Sequence, residues 1–204
     1  YRGRALKAGD AIALTTAAAG DGPERALDGV DLAPARTARI VPGPQDDYFA
    51  ADAFTVMTSS LYRVAPASDR MGLRLDGPKL AHAKGYNIVS DGIAPGAIQV
   101  PGDGLPIVLM ADRQTTGGYP KIATIASVDL PAVGRLGPGS VLGFKLVTLA
   151  EAEDLRRAQA REIAAWPSRV REAGGGAVID EARLAAENLI SGAVDAIRPH
   201  HHHD

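Results

Sequence analysis

The stretch Ile98-Gln99-Val100-Pro101-Gly102-Asp103-Gly104-Leu105-Pro106-Ile107-Val108-Leu109-Met110 shows the pattern that decides the fold. Two short apolar, β-branched runs flank a connection in which glycine and proline recur, which is typical of strands joined by tight turns. The pattern repeats up to about residue 148, and it favours a β barrel or sandwich over an α/β layered fold. The runs predicted as strands are Ala11–Leu14, Thr37–Val41, Arg70–Leu75, Ile98–Val100, Ile107–Met110 and Val141–Val147.

The sequence after Thr148 changes to a helical pattern. Glu151 to Trp166 is rich in Ala, Glu and Arg, and Pro167 is expected to end this helix. A second helix is predicted to begin at the capping residue Asp180. The apolar face expected to dock the first helix on the barrel consists of Leu155, Ala158, Ile163 and Trp166.

Two segments before the barrel core are less regular. Ala17–Gly29 mixes Ala, Gly, Asp and Pro and is predicted as a loop. Gln45–Ser60 is predicted to contain a short helix. The buried face of that helix is expected to consist of Phe49, Ala53, Val56 and Met57.

Composition excludes several classes of protein. The chain has 204 residues and no cysteine, so a disulfide scaffold, a thiolate zinc site and a cysteine nucleophile are all excluded. Lys and Arg total 22 against 24 Asp and Glu, which disfavours a nucleic-acid groove or a polybasic membrane patch. Apolar runs such as Ile107–Ala111 are too short to span a membrane, and no export signal is visible, so a cytoplasmic location is expected.

The histidines offer little chemistry. His200–His203 are interpreted as an expression tag, which leaves His82 alone, and His82 is predicted to be a surface residue. No metal site is predicted.

The densest polar cluster directly follows the strand that ends at Met110. A strand that leads into a double-glycine loop can bring backbone N–H groups close to an anion, which suits a carboxylate, phosphate or ureido ligand. An ordinary hairpin loop, in which the two glycines only make the turn, is at least as compatible with the composition. The cluster consists of Asp112, Arg113, Gln114, Thr115, Thr116, Gly117, Gly118, Tyr119, Pro120 and Lys121.

Two other segments offer polar groups on strands. Arg70 and Arg74 flank Gly72 and could present two guanidinium groups to an acidic ligand, or Asp69 could simply pair with one of them. Gln99 is expected to face inward, where it must either satisfy a backbone group or contact a ligand.

Together these stretches resemble a known family. The family is variously called allophanate hydrolase subunit 2, biotin-dependent carboxyltransferase-like protein and the C subunit of bacterial 5-oxoprolinase. The stretches that resemble it, in order and spacing, are Ser68–Leu75, Gly96–Pro101 and Asp112–Pro120. The segments Gly3–Asp10, Val41–Gln45 and 188–196 also resemble that family, so the similarity covers nearly everything from residue 1 to residue 196.

The resemblance implies a mainly β fold, namely a cyclophilin-like β barrel with C-terminal helices, usually the second of two such barrels in one chain. It implies four parts: residues 1–36 as a linker from an N-terminal barrel that this sequence lacks, 37–148 as the barrel, 149–198 as a helical segment and 199–204 as the tag.

The resemblance also implies an enzyme subunit. It indicates an ATP-dependent complex that hydrolyses a cyclic amide C–N bond, opening 5-oxoproline or a similar small lactam or ureido substrate. The implied partners are an allophanate hydrolase subunit 1-like protein (the 5-oxoprolinase B subunit) and a third subunit, with no nucleic acid and no membrane.

Two alternatives stay open. In one, the chain is a carboxyltransferase component that moves a carboxyl group from carboxybiotin, carried by another protein, to urea or a similar acceptor. In the other, it is a non-enzymatic antagonist of a kinase-inhibitor partner.

The residues that match the family motifs form the predicted site. Asp112 is the candidate base, Tyr119 and Lys121 are the other candidate catalytic residues, and Lys121 or Arg70 would neutralise a carboxylate or phosphoryl group. Backbone N–H groups near the double glycine would stabilise an oxyanion, an effect of roughly 3 kcal/mol per donor. The predicted substrate-binding residues are Arg70, Gln99, Gln114, Thr115, Thr116, Gly117 and Gly118.

Overall fold

A computed structural model describes residues 7–13 and 22–173 of the chain. They belong to two compact units, Gly29–Ser168 and a second one made of Tyr1–Asp28 with Arg169–Asp204. In the second unit, strand β1 (Arg25–Leu27) pairs antiparallel with strand β11 (Val170–Glu172). An ion pair between Arg171 and Asp28 supports this pair of strands.

Seven short strands of the larger unit close into a barrel. They are β2 (Thr37–Pro42), β3 (Leu61–Val64), β4 (Gly72–Asp76), β6 (Ala97–Gln99), β7 (Ile107–Leu109), β9 (Lys121–Ile125) and β10 (Val141–Leu146). Their order around the barrel is β10-β2-β9-β6-β7-β4-β3. Neighbouring strands are antiparallel except for β10 and β2, which are parallel. The prediction of a mainly β barrel with additional helices is therefore confirmed.

The barrel interior is filled by alternate residues of its strands. In β2, Ala38 and Ile40 point inward and are fully buried. In β3, Tyr62 and Val64 do the same. On each strand the residues that alternate with these are more exposed. The edge of the Tyr62 ring packs against Phe144 of β10, with ring centroids 5.7 Å apart. Burial of each large apolar side chain contributes about 1.5–3 kcal/mol, so this interior supplies most of the stability.

The segment predicted as a short helix forms two short helical pieces instead. A 3-10 turn at Asp46–Tyr48 is followed by helix α1 (Ala53–Ser59). Ala53 and Met57 of α1 are buried and Phe49 between the pieces is buried as well, whereas Val56 is half-buried. The predicted apolar face is therefore confirmed except for full burial of Val56. A second short helix, α2 (Leu130–Val133), precedes β10.

The long helix α3 (Leu149–Ala165) begins two residues before the predicted start. Thr148 caps it: the Thr148 side chain accepts from Glu151 N at 3.2 Å, and the Glu151 carboxylate accepts from Thr148 N at 2.7 Å. The helix ends at Ala165, before Pro167, as predicted. Among the helices of the described residues, none has both the length and the apolar character needed to cross a bilayer.

The docking face of α3 differs from the prediction. No residue of the helix is fully buried. Ala158 and Ile163 are exposed. The half-buried residues along the helix and directly after it are Ala152, Leu155, Gln159 and Trp166. Ala158 lies about 90° around the helix from that half-buried stripe, which is why it faces solvent. The helix is thus held by a shallow contact and by its cap.

Three other predictions are wrong. Ala11–Ala13 is not a strand, because these side chains are exposed and bury nothing, and the predicted loop Ala17–Gly29 contains strand β1. His82 is half-buried rather than on the surface, because its Nε2 lies 3.0 Å from Val100 O and its ring packs 5.0 Å from that of Phe49. Several predicted features lie outside the described residues: Leu14, the helix expected from Asp180, the segment 188–196 and the histidines interpreted as a tag.

Candidate functional site

A two-stranded ribbon covers the outer face of barrel strand β6. Strand β5 (Asp91–Gly92) pairs antiparallel with β8 (Thr116–Gly117), and Ile93 N continues the pairing by donating to Thr115 O at 3.0 Å. Ile93 packs on Ala97 and Leu109, in an apolar cluster separate from the barrel interior. The double-glycine loop predicted as a ligand site therefore lies against the barrel wall.

Close packing accounts for the two glycines of this loop. A Cβ atom at Gly118 would lie 2.7 Å from the carbonyl oxygen of Ile88, and one at Gly117 would lie 3.0 Å from the Ile93 side chain. At Gly118 the obstacle is backbone, so any larger residue would push the loop away from Ile88, whereas at Gly117 the tip of the Ile93 side chain can move aside. Gly118 therefore brings two backbone segments together, which goes beyond the simple hairpin turn considered from the sequence.

Lys121, at the start of β9, is buried beneath this ribbon. The residue is 2% exposed, and its Nζ donates to Asp91 Oδ2 at 3.0 Å. Gln45 holds both partners: its Nε2 donates to the same Asp91 oxygen at 3.2 Å, and its Oε1 accepts from Lys121 N at 3.2 Å. Lys121, Asp91 and Gln45 therefore form one hydrogen-bonded cluster, which we call the Lys121 cluster.

The Asp91 carboxylate is held in its ionised form. Hydrogen bonds from Lys121, from the backbone N–H of Gly92 and from Gln45 lower the pKa of Asp91 below its ordinary value. A carboxylate with a lowered pKa is a weak proton acceptor. Asp91 is thus suited to balance the charge of Lys121 and to hold it in place, rather than to act as a base.

Gln99 lies directly across from Lys121 in the register of β6 and β9, at a β-bulge between Ile98 and Gln99. Because Ile98 points into the barrel, Gln99 points to the outer face, and it is nevertheless only 3% exposed. Within residues 7–13 and 22–173, its Nε2 has no hydrogen-bond partner. The expectation that Gln99 faces inward is wrong with respect to the barrel, but its burial is confirmed.

Arg70 and Asp112 form a different pair at another place. The Arg70 guanidinium donates to both Asp112 carboxylate oxygens, at 2.6 and 3.0 Å, and lowers the pKa of Asp112. Asp112 follows the Leu109 end of β7, whereas Gln99 and Lys121 lie at the Ile107 end. The predicted polar cluster therefore runs along the barrel from one end to the other and does not converge on a single point.

A cavity of about 360 Å³ lies beside Arg70. Its walls are mainly apolar, from Leu73, Met110, Leu136 and Pro138, and its polar groups come from Ser68, Asp69 and Arg70. The predicted pairing of Asp69 with an arginine is wrong: Asp69 Oδ1 accepts from Met71 N at 2.8 Å and from Gly72 N at 3.1 Å. Arg70 precedes strand β4, which begins at Gly72.

The other predicted residues lie along the ribbon. Tyr119 is 38% exposed, next to buried Pro120 at the edge of the Lys121 cluster, while Gln114, Thr115 and Thr116 are exposed. The structure thus brings Gln99 and Lys121 together beneath β8, with Thr116 and Gly117 above them, and it separates Arg70 and Asp112 from them. Sequence reasoning misses Asp91 and Gln45 as site residues, and the turn signal at Asp91-Gly92 is the one local feature that could have pointed to them.

Comparisons with known proteins agree with this architecture. A family model described as carboxyltransferase domain, subdomain A and B, matches residues 1–146. The 5-oxoprolinase C subunit of Haemophilus influenzae is 38% identical over 156 residues, which are 76% of this chain and 49% of that protein. The 5-oxoprolinase C subunit of Escherichia coli K12 is 38% identical over 130 residues, 63% of this chain and 42% of that protein.

A solved structure extends the similarity to a second kind of protein. The crystal structure of Kluyveromyces lactis urea carboxylase superposes with a TM-score of 0.60 and 26% identity, over 67% of this chain and 13% of that one. The chain spans about half the length of the curated bacterial relatives that it matches.

Proposed function

This chain belongs to the carboxyltransferase subdomain A and B family and is homologous to the C subunit of 5-oxoprolinase, and on that premise we propose that it is one subunit of a hydrolase complex that opens a small cyclic amide. The proposed substrate is 5-oxoproline or a close lactam analogue. Ring opening adds one water: the hydroxyl group joins the carbonyl carbon, the C–N bond breaks and the nitrogen gains a proton.

The observation that supports this reaction is the buried Lys121 ammonium beneath the ribbon. Its side chain is 3% exposed, and it is fixed by a 3.0 Å bond to Asp91. A fixed positive donor shielded from water stabilises negative charge on a reacting oxygen more strongly than a solvated lysine does. Amide hydrolysis places such charge on the carbonyl oxygen.

We propose that ATP acts elsewhere in the complex. The Lys121 cluster contains one cation, already balanced by Asp91, and a triphosphate requires several uncompensated donors. The proposed partners are a protein like the 5-oxoprolinase B subunit, of the allophanate hydrolase subunit 1 type, and a third subunit, in a cytoplasmic assembly. In this proposal Tyr119 and the Thr115–Gly118 segment lie at the edge of the Lys121 cluster, whereas Asp112 pairs with Arg70 away from it.

The proposal is tested in the reconstituted complex, by measuring ATP hydrolysis that depends on 5-oxoproline. We expect Lys121→Met to lower turnover about 100-fold, the size of effect typical for loss of one stabilising donor. Lys145→Met, which changes an exposed lysine of β10, is the matched control and should stay within about 2-fold of wild type. A folded Lys121→Met complex with wild-type turnover would contradict the proposal.

A second candidate function is carboxyl transfer from carboxybiotin, which the similarity to urea carboxylase favours. The uncharged ureido ring of biotin could use the same donors, with the Tyr119 ring as a flat surface at the edge of the site. Binding of free biotin at millimolar concentration, lost in Lys121→Met, would support this candidate. Turnover of 5-oxoproline without any biotin binding would exclude it.

A further inference from the structure

A buried amide side chain and a buried lysine belong to opposed residues of two neighbouring strands in the barrel wall. Gln99 and Lys121 occupy opposed positions of β6 and β9, and both are at least 97% buried, at 3% and 2% exposure. Gln99 Nε2 has no partner in the described part of the chain. A buried donor without an acceptor is rare in native proteins, so the Gln99 amide is expected to have a partner outside the described part of the chain.

Lys121 has donor capacity left after it pairs with Asp91. An ammonium group carries three N–H bonds, and across residues 7–13 and 22–173 Asp91 Oδ2 is the one acceptor of Lys121 Nζ. Asp91 is already held by Gln45 and by the N–H of Gly92, so it has little freedom to follow a ligand. The remaining Lys121 N–H bonds and the Gln99 amide therefore lie on the same wall without acceptors from the described part of the protein.

The charge of this cluster indicates which ligand atom fits. Lys121 and Asp91 together carry no net charge, and Asp91 stays ionised because its pKa is lowered. A ligand carboxylate beside them would be repelled by Asp91 at low dielectric. A neutral carbonyl oxygen, by contrast, accepts two hydrogen bonds without adding charge to a buried site.

We propose that Gln99 Nε2 and Lys121 Nζ form a two-donor site for the carbonyl oxygen of a cyclic amide or ureido ligand. This inference rests on the proposed function and deepens it, because it assigns the oxygen of the reacting carbonyl to these two atoms. When water adds to the carbonyl carbon, the electron pair of the C=O bond moves to this oxygen, and both hydrogen bonds strengthen. Asp91 and Gln45 act as positioning residues that hold Lys121.

The experiment uses the reconstituted complex and 5-oxoproline labelled with ¹³C at the ring carbonyl. Hydrogen bonds to a carbonyl oxygen lower its stretching frequency, so the infrared band of the bound carbonyl reports directly on the two donors. We expect a lowered band in the wild-type complex, and a return toward the solution frequency in Gln99→Met and Gln99→Asn. Gln99→Asn stays neutral and keeps an amide but is one methylene shorter, so it withdraws the donor and tests the idea if the methionine variant fails to fold.

Kinetics provide the second readout. We expect Gln99→Met to lower kcat about 100-fold and to change KM by less than about 3-fold, because the bonds strengthen mainly in the transition state. Gln159→Met, a half-buried glutamine on α3, is the matched control and should retain wild-type kcat. A wild-type band at the solution frequency with both 5-oxoproline and biotin, or a folded Gln99 variant with wild-type band and kcat, overturns the inference.

The outcomes separate this inference from the proposed function. A lowered carbonyl band that is lost in the Gln99 variants, without any turnover by the wild-type complex, supports the oxygen site and contradicts the hydrolase. Labelled biotin in the same experiment distinguishes the two ligand sources. A lowered band with biotin but not with 5-oxoproline supports the site and assigns it to the ureido carbonyl.

Discussion

Two ion pairs from the same group of sequence motifs differ in how their cations are covered. The carboxylates of Asp91 and Asp112 are equally exposed, at 51% of each side chain, but their cations are not: Lys121 is 3% exposed and Arg70 is 79% exposed. The ribbon covers the Lys121 cluster, while the Arg70 pair lies open beside a cavity. The two ion pairs therefore differ in whether a second layer of the chain covers the cation. They do not differ in the kind of charges that are paired.

This difference has energetic consequences. An exposed ion pair adds little to the free energy of unfolding, because water and salt compete with it and the long side chains lose entropy. A pair whose cation is buried keeps a fixed geometry, and its integrity depends on every group that surrounds it. The comparison can be tested at three levels, in the backbone, in the titration of the carboxylates and in the exposed arginine.

The largest effect is expected for Gly43→Ala. A Cβ atom there would lie 2.9 Å from Ala123 N and closer still to the carbonyl of Lys121, and rigid backbone cannot yield. We expect a loss of about 3 kcal/mol in the free energy of unfolding, measured by urea denaturation. Gly137→Ala is the control near the Arg70 cavity, where nothing lies within 4 Å, and it should change stability by less than about 0.5 kcal/mol. Equal losses in both variants would show that the two ends of the barrel are packed alike.

A smaller effect is expected when the two carboxylates are titrated. Both have pKa values lowered in the folded state, from an ordinary value of 3.8, so each stabilises the fold above about pH 4, and that contribution is lost as the pH falls through the lowered pKa. In 1 M NaCl we expect the pKa of Asp112 to rise toward its ordinary value more than that of Asp91, because Arg70 is exposed and Lys121 is not. Carboxyl ¹³C shifts followed from pH 6 to pH 2 measure both. A larger salt response at Asp91 would reverse the comparison.

The smallest effect is expected for Arg70→Met. Since the Arg70 guanidinium is solvated, its removal should leave the melting temperature within experimental error and turnover of the complex within about 3-fold of wild type. Asp28→Asn, which breaks another exposed ion pair, in the smaller unit, gives the reference for melting. A large loss of turnover with unchanged melting would instead give Arg70 a direct role in binding.

The sequence predicted the barrel better than the site. Apolar runs such as Thr37–Val41 and Val141–Val147 decide strands locally, and the structure places strands there. The site depends on pairs that are distant in sequence: Gln45 and Lys121 are 76 residues apart, and Asp91 and Lys121 are 30 apart. No local pattern encodes such contacts. The run from Asp112 to Lys121 is contiguous in sequence and therefore looks like one cluster. In the structure it extends along the barrel, and its composition does not indicate that path.

The one parallel pair of the barrel has a consequence for how the protein is made. Strand β10 closes the barrel by pairing with β2, and Leu146 lies opposite Ile40, so the two halves of this seam leave the ribosome more than a hundred residues apart. At ordinary rates of synthesis that interval is on the order of 10 s. During it, β2 and β3 lack the strand that joins them, and their unpaired backbone groups are open to association with other nascent chains. Newly made chains are therefore expected to depend on early protection of this seam, by a chaperone or by a partner subunit, more than the finished barrel does.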